Sequence, residues 1–171
     1  CWTLDKLFHL PIWGDQLVFK GGTSLSKGWG LIARFSEDID IVINRQALGF
    51  IGDAAPEAAR SRKQTKKRLS ALREACRNCV RVNIRSGLLE TFIADLPSTL
   101  IWELLEDPVD HDGQTLLFNY PTVFPSEAVY LQRGIKIEMG ARSDTEPCEN
   151  ILVSPYISDA FPALFSTKKI A

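Results

Sequence analysis

Asp38 and Asp40 lie two residues apart on the apolar run Ile39, Ile41, Val42 and Ile43, and their chemistry is that of a divalent-cation site. The β-branched neighbours predict a strand, on which residues two apart point the same way, so both carboxylates share one face. Two like charges this close are costly unless a cation lies between them, and oxygen-only donors favour Mg²⁺ or Mn²⁺ over zinc. Upstream, Leu17, Val18 and Phe19 predict another strand, which ends at Gly21 and Gly22; Thr23, Ser24 and Leu25 then open a helix. A strand, a glycine turn and a helix start rich in hydroxyls form a phosphate cradle, because free backbone N–H groups and the positive end of the helix dipole point at the anion.

The run from Lys20 to Leu25, Lys-Gly-Gly-Thr-Ser-Leu, followed by Arg-Phe-Ser-Glu-Asp-Ile-Asp from Arg34 to Asp40, resembles the nucleotidyltransferase fold and, within it, the AbiEii toxins of bacterial toxin–antitoxin and phage abortive-infection systems. Members carry a third acid on a later strand in a Lys-hydrophobic-Glu setting, with an arginine shortly after. Ile135, Lys136, Ile137, Glu138 and Arg142 fit that pattern. Alternation places Lys136 and Glu138 on one side of their strand and Ile135 and Ile137 on the other.

The resemblance implies an α/β (α+β) fold with a mixed sheet flanked by helices, and a Mg²⁺- or Mn²⁺-dependent transfer of a nucleoside monophosphate from an NTP to an acceptor hydroxyl. It assigns Asp38 and Asp40 to two metal ions, and Glu138 to the second ion or to the acceptor proton. The turn Gly21, Gly22, Thr23 and Ser24 binds the β- and γ-phosphates, while Lys20, Lys27, Arg34, Lys136 and Arg142 neutralise phosphate charge. Arg34 and Ser36 fit the family pattern best. The implied acceptor is RNA, with the 3′ end of a tRNA foremost, and the implied protein partner is an antitoxin. Because the family pattern extends past both ends, the chain reads as one catalytic-core domain over residues 1–171 without the family's helical C-terminal part, able to bind a metal–triphosphate better than it transfers.

With 45% apolar side chains in 171 residues, the chain can bury a core. No apolar run approaches the ~18 residues of a membrane span and no signal peptide is visible, so a cytoplasmic protein is the expectation. Cys1, Cys76, Cys79 and Cys148 are too few and scattered for a disulfide framework.

The net charge of −1 conceals a strong asymmetry: ten of the twenty Lys and Arg residues fall between Arg60 and Arg85 against one acid, Glu74, giving +9 there and −10 elsewhere. Leu69, Leu72, Cys76 and Val80 follow helical spacing, which predicts an amphipathic helix with Arg73, Arg77 and Arg81 stacked on its other face. Such a row can track RNA phosphates. It is equally the pattern of a solvated helix or one lying against an acidic protein.

Elsewhere, Trp2, Leu4, Leu7 and Phe8 predict a first helix, and residues 88–94 continue the basic helix or begin another. Residues 99–105 and 114–120 predict a hairpin turned at Asp112-Gly113. Residues 128–132 and 134–140 add strand character, and residues 151–153 a short strand. Cys76 and Cys79 have half-knuckle spacing but fall on the apolar side of a helix, so two buried thiols are expected. His111 among Asp107, Asp110 and Asp112 reads as a polar hairpin approach rather than a cation site. Of the four tryptophans, Trp29 is placed for base contact. Two other functional classes fit the same residues: a nucleotide- or antitoxin-binding domain without turnover, and a transferase acting on protein side chains.

Overall fold

The computed structural model describes residues 1–33, 38–121 and 134–161. Among these, five strands build one sheet: β1 (Leu17–Lys20), β2 (Asp38–Ile43), β3 (Glu103–Glu106), β4 (Thr115–Asn119) and β5 (Gly134–Gly140), in the spatial order β1-β2-β5-β4-β3. The β2–β5 pair is parallel and the other three are antiparallel, so the sheet is mixed, as the sequence implies. The helices are α1 (Trp2–Phe8), α2 (Gly21–Lys27), α3 (Arg62–Asn78), α4 (Arg85–Asp95) and α5 (Tyr156–Ala160). A π-helical segment, Cys79–Ile84, joins α3 to α4 without a break. Among the described residues, no helix is long and apolar enough to cross a membrane.

Alternation along the strands decides which face is the core. Ile39, Ile41 and Ile43 of β2, Ile137 and Met139 of β5, Leu116 and Phe118 of β4 and Leu104 of β3 are buried in one cluster with Leu72, Cys76, Val80, Ile84, Leu88 and Phe92 of the α3–α4 rod. Leu4 and Leu7 of α1 close that cluster from the side. Each such side chain contributes about 1.5–3 kcal/mol on burial, so this layer fixes the sheet's orientation. Trp2, Phe92, Trp102 and Phe118 stack together, with the Phe92 and Phe118 ring centroids 4.5 Å apart. Ser61 caps α3 by accepting the Gln64 N–H at 3.3 Å, and this fixes where the rod begins.

Several boundaries differ from the sequence expectation. Helix α2 starts at Gly21 rather than Thr23. Strand β3 starts at Glu103 rather than at residue 99, because the Leu100 N–H bonds to the Pro97 carbonyl in a turn. The β3–β4 connection is broader than a tight hairpin. The Asp110 carboxylate accepts the N–H groups of Asp112 and Gln114 at 2.8 and 2.7 Å, shaping residues 107–114 into a loop with Gly113 at φ +64°. That is the polar approach read from the sequence. Burial acts to raise the Asp110 carboxyl, but bonds from Thr115, Gln114, Asp112 and Gly113 outweigh it and hold the group below its usual pKa. Of residues 151–153, Val153 alone makes an isolated bridge. Residues 128–132 lie outside the described residues. Cys76 and Cys79 are buried thiols, which burial pushes up to about 12.

Candidate active site

The parallel pairing of β2 with β5 places Asp38 opposite Lys136 and Asp40 opposite Glu138. Partners in neighbouring strands point to the same side, so the aspartate pair and the Lys-x-Glu pair share the face turned away from the core. Strand β1 adds Lys20 opposite Asp40, and β4 adds Thr115 opposite Glu138. The apolar residues between them are buried on the reverse: Ile39 is 7% exposed and Ile137 fully buried. The same alternation that builds the core therefore gathers the charged groups.

The glycine turn touches this face directly. Gly21 has φ +75°, a left-handed conformation that suits glycine, and the Asp40 side chain packs against its Cα. A methyl built on Gly21 would overlap Oδ2 of Asp40 and lie 2.6 Å from its Cγ. A second tie comes from Thr23, whose hydroxyl donates to the Asp38 carbonyl at 2.7 Å. That bond commits the Thr23 side chain to holding α2 on β2. The turn's first backbone N–H groups, those of Gly21, Gly22 and Thr23, stand at the start of α2, where a helix has no internal partners for them.

Lys136 is the electrostatic centre. Its Nζ lies 2.7 Å from Oε1 of Glu138 and 3.6 Å from Oδ2 of Asp107. The hydrogen bond to Glu138 raises its pKa and burial opposes it, but with the charges of Glu138, Asp107 and Asp38 added the net shift is upward, so it stays an ammonium. Asp107 was missed as a site residue by sequence reasoning. It follows β3, its N–H bonds to the Thr115 carbonyl, and Thr115 stands opposite Glu138, so the hairpin delivers a fourth carboxylate. Its side chain is 9% exposed against 45% for Glu138. The signal was the acidic stretch before the Asp-Gly turn, which becomes informative once the β4–β5 register is known.

The remaining predicted residues divide. Lys20 points toward Ser143, at 3.5 Å. Lys27 sits at the far end of α2 from the turn, its Nζ 2.8 Å from the Tyr156 ring centroid. Trp29 follows it and is 47% exposed. Arg142 lines a cleft beside the end of β5. Arg34 and Ser36 lie outside the described residues. Arg73, Arg77 and Arg81 do not face open solvent as a bare row; they grip the β3–β4 hairpin. Arg73 pairs with Asp112 at 3.1 Å and Arg81 with Glu106 at 3.0 Å. Arg77 donates to the Asp112 and His111 carbonyls at 2.7 and 3.2 Å and pairs with Glu74.

The donor set fits a hard cation in kind: Asp38, Asp40 and Glu138 offer oxygens on one face, with Asp40 and Glu138 in register. Among the described residues, no three acids are drawn together tightly enough to hold an ion by themselves. Glu138 is instead held by the Lys136 ammonium.

Against known proteins, the sequence profile of the family described as "Nucleotidyl transferase AbiEii toxin, Type IV TA system" matches residues 2–168, nearly the whole chain. No curated protein and no solved structure matches.

Proposed function

Because the chain belongs to the AbiEii family of nucleotidyl transferase toxins of type IV toxin–antitoxin systems, we propose that it transfers a nucleoside monophosphate from an NTP to a hydroxyl of RNA, foremost the 3′ end of a tRNA, and releases pyrophosphate. The observation that carries this reading is the convergence of three separate segments on one face: the Gly21 turn against Asp40, and Asp40 in register with Glu138.

In this mechanism Asp38 and Asp40 would hold Mg²⁺ or Mn²⁺, with Glu138 completing the set. The bound metal supplies charge neutralisation on the triphosphate and a lower pKa for the acceptor hydroxyl. The backbone N–H groups from Gly21 to Thr23, with the Ser24 hydroxyl, orient the β- and γ-phosphates, and Gly21 brings them next to Asp40 without a side chain in the way. Lys136, held between Glu138 and Asp107, supplies a positive charge to the incoming triphosphate. Once Lys136 turns to phosphate, Glu138 is released either to hold the second ion or to accept the proton of the attacking hydroxyl. Asp107 keeps the lysine charged and within reach. Thr23 fixes the spacing between turn and strand.

Incubating the chain with each labelled NTP, Mg²⁺ and total cell RNA tests the reading. Label should enter RNA and be released by RNase, and Asp40→Asn should abolish it while leaving the fold intact, since removing one charge relieves repulsion among acids. RNase-resistant label would point to a protein acceptor. No incorporation with any NTP would leave a nucleotide- or antitoxin-binding domain.

A further inference from the structure

We infer that the first two turns of α3, with Arg142 beyond the end of β5, form a track for the phosphate backbone of single-stranded RNA leading to Glu138. Once Arg73, Arg77 and Arg81 are assigned to the hairpin, and Arg68 to the Ala55 carbonyl, to which it donates at 2.7 Å, the cations left on α3 are Arg62, Lys63, Lys66 and Lys67. None of the four forms an ion pair among the described residues, whereas Arg73, Arg77 and Arg81 all do. They crowd the N-terminal end of a helix whose first turn holds no acid. There the helix dipole already presents positive charge, so these side chains oppose the stability of their own helix. A cluster kept against that cost creates a concentrated positive field, the setting that attracts a polyanion.

The shape agrees with the charge. A cleft of about 550 Å³ runs between α3 and the end of β5, lined by Arg62, Lys66, Arg73, Gln114, Gly140 and Arg142. A second depression, about 810 Å³, lies on the other side of Lys66 against Lys63, Lys67 and His111. Gly140 is two residues beyond Glu138 on β5, about 7 Å along the strand. A chain lying in the cleft has therefore to round the end of β5 at Gly140 to reach the carboxylate face, which is turned away from the rod.

Neither depression presents a Trp, Tyr or Phe ring among the described residues. Bases have nothing to stack on, so the interaction reads phosphates and carries no sequence preference. A protein partner would need a sizeable apolar or aromatic anchor; the apolar lining of the cleft is Leu69 with the nearly buried Leu72 and Ala141, and the exposed Leu25, Trp29, Leu31 and Tyr156 belong to other segments. The inference rests on the transferase reading in taking RNA as the strand.

The test is fluorescence anisotropy of labelled oligouridylate across a salt series, using the full chain. Replacing Arg62, Lys63, Lys66 and Lys67 together by Gln should lower the slope of log affinity against log salt by about 2–3 units and weaken binding about tenfold or more, at ~0.7 units for each phosphate no longer neutralised. Calorimetric binding of ATP should be unchanged, and far-UV circular dichroism should show α3 retained. A charge-conserving variant, Arg62→Lys with Lys63→Arg, Lys66→Arg and Lys67→Arg, should keep the slope. An unchanged slope in the folded Gln variant overturns the track, as does a variant that keeps RNA but loses poly-glutamate, which would mark an acidic-protein surface. Loss of slope in a chain that transfers no nucleotide would keep the track and sink the transferase reading; transfer with an unchanged slope would do the reverse.

Discussion

Replacing Gly21 by alanine probes the packing on which the candidate site depends. Two effects are separable. The left-handed backbone, φ +75°, costs an L-residue about 1–2 kcal/mol wherever it occurs. The new methyl would also lie 2.6 Å from Cγ of Asp40, where ordinary contact begins at 3.4 Å, so the carboxylate must retreat by about 0.8 Å or more. Gly49 supplies the control: it has φ +85° and nothing within 4 Å of a built Cβ. Gly49→Ala therefore carries the backbone cost alone. Gly49→Ala should lose about 2–8 °C in melting temperature by scanning fluorimetry, given ~2–4 °C per kcal/mol for a chain this size, and Gly21→Ala more than that because of the added contact with Asp40. Transfer of labelled NTP should separate them: Gly49→Ala near wild type, Gly21→Ala down by about 100-fold, since misplacing a reacting group by ~1 Å has that effect. Mn²⁺ affinity should weaken in Gly21→Ala alone. Equal activity in the two variants would refute the claim that the turn positions Asp40.

Arg77→Ala should free the β3–β4 loop: without its bonds to the Asp112 and His111 carbonyls the chain should be less stable by about 1–2 kcal/mol, reduced from the buried case by partial exposure, and hydrogen exchange over residues 107–114 should speed up. Maleimide at pH 8 should label the exposed Cys148 and spare Cys76 and Cys79, whose thiols burial pushes up to about 12, until the chain unfolds. Those two thiols ionise first in the unfolded chain, so denaturation midpoints should fall as pH rises above about 9. Asp110 has the opposite sign: its folded pKa lies below the ordinary value of 3.8, so its contribution is present above that pH and disappears as pH falls through the folded value. Asp110→Asn should flatten the acid limb of a stability–pH profile measured by chemical denaturation.

Local pattern was enough to read β1, the glycine turn, β2 and the two faces of β5, because each is a short run whose alternation is complete within itself. The pairing of Asp40 with Glu138 was not readable that way. It joins residues nearly a hundred positions apart, and parallel register is fixed by what packs on the sheet rather than by a turn. The fate of Arg73, Arg77 and Arg81 was hidden for the same reason: helical spacing shows that they share a face, and only the hairpin's position shows what that face meets. Asp107 escaped because it sits at a loop start, where a carboxylate ordinarily serves the turn, and here Oδ1 does serve the Val109 N–H while Oδ2 meets Lys136. The overestimate of β3 came from counting apolar residues across the turn at residues 97–100.

The π-helical segment between α3 and α4 bears on how long a helix can stay in phase with a sheet. Along the rod the buried positions Leu72, Cys76, Val80, Ile84, Leu88 and Phe92 recur every four residues, with Cys79 buried beside them at the start of the π turn. An α-helix repeats every 3.6, so each step of four overshoots by about 40°, and five steps would carry Phe92 about 200° away from Leu72. A wider turn at Cys79–Ile84 admits one extra residue, cancelling about 100° of that drift. Wound as a regular α-helix with no residue removed, the same stretch would rotate everything beyond it by about 100°. Gly87 and Thr91 would swing inward in place of Leu88 and Phe92, separating the aromatic stack from the arginine clamp at the middle of the same rod. The irregular turn thus acts as a phase corrector, letting one continuous element serve the hairpin at its centre and the core at its far end.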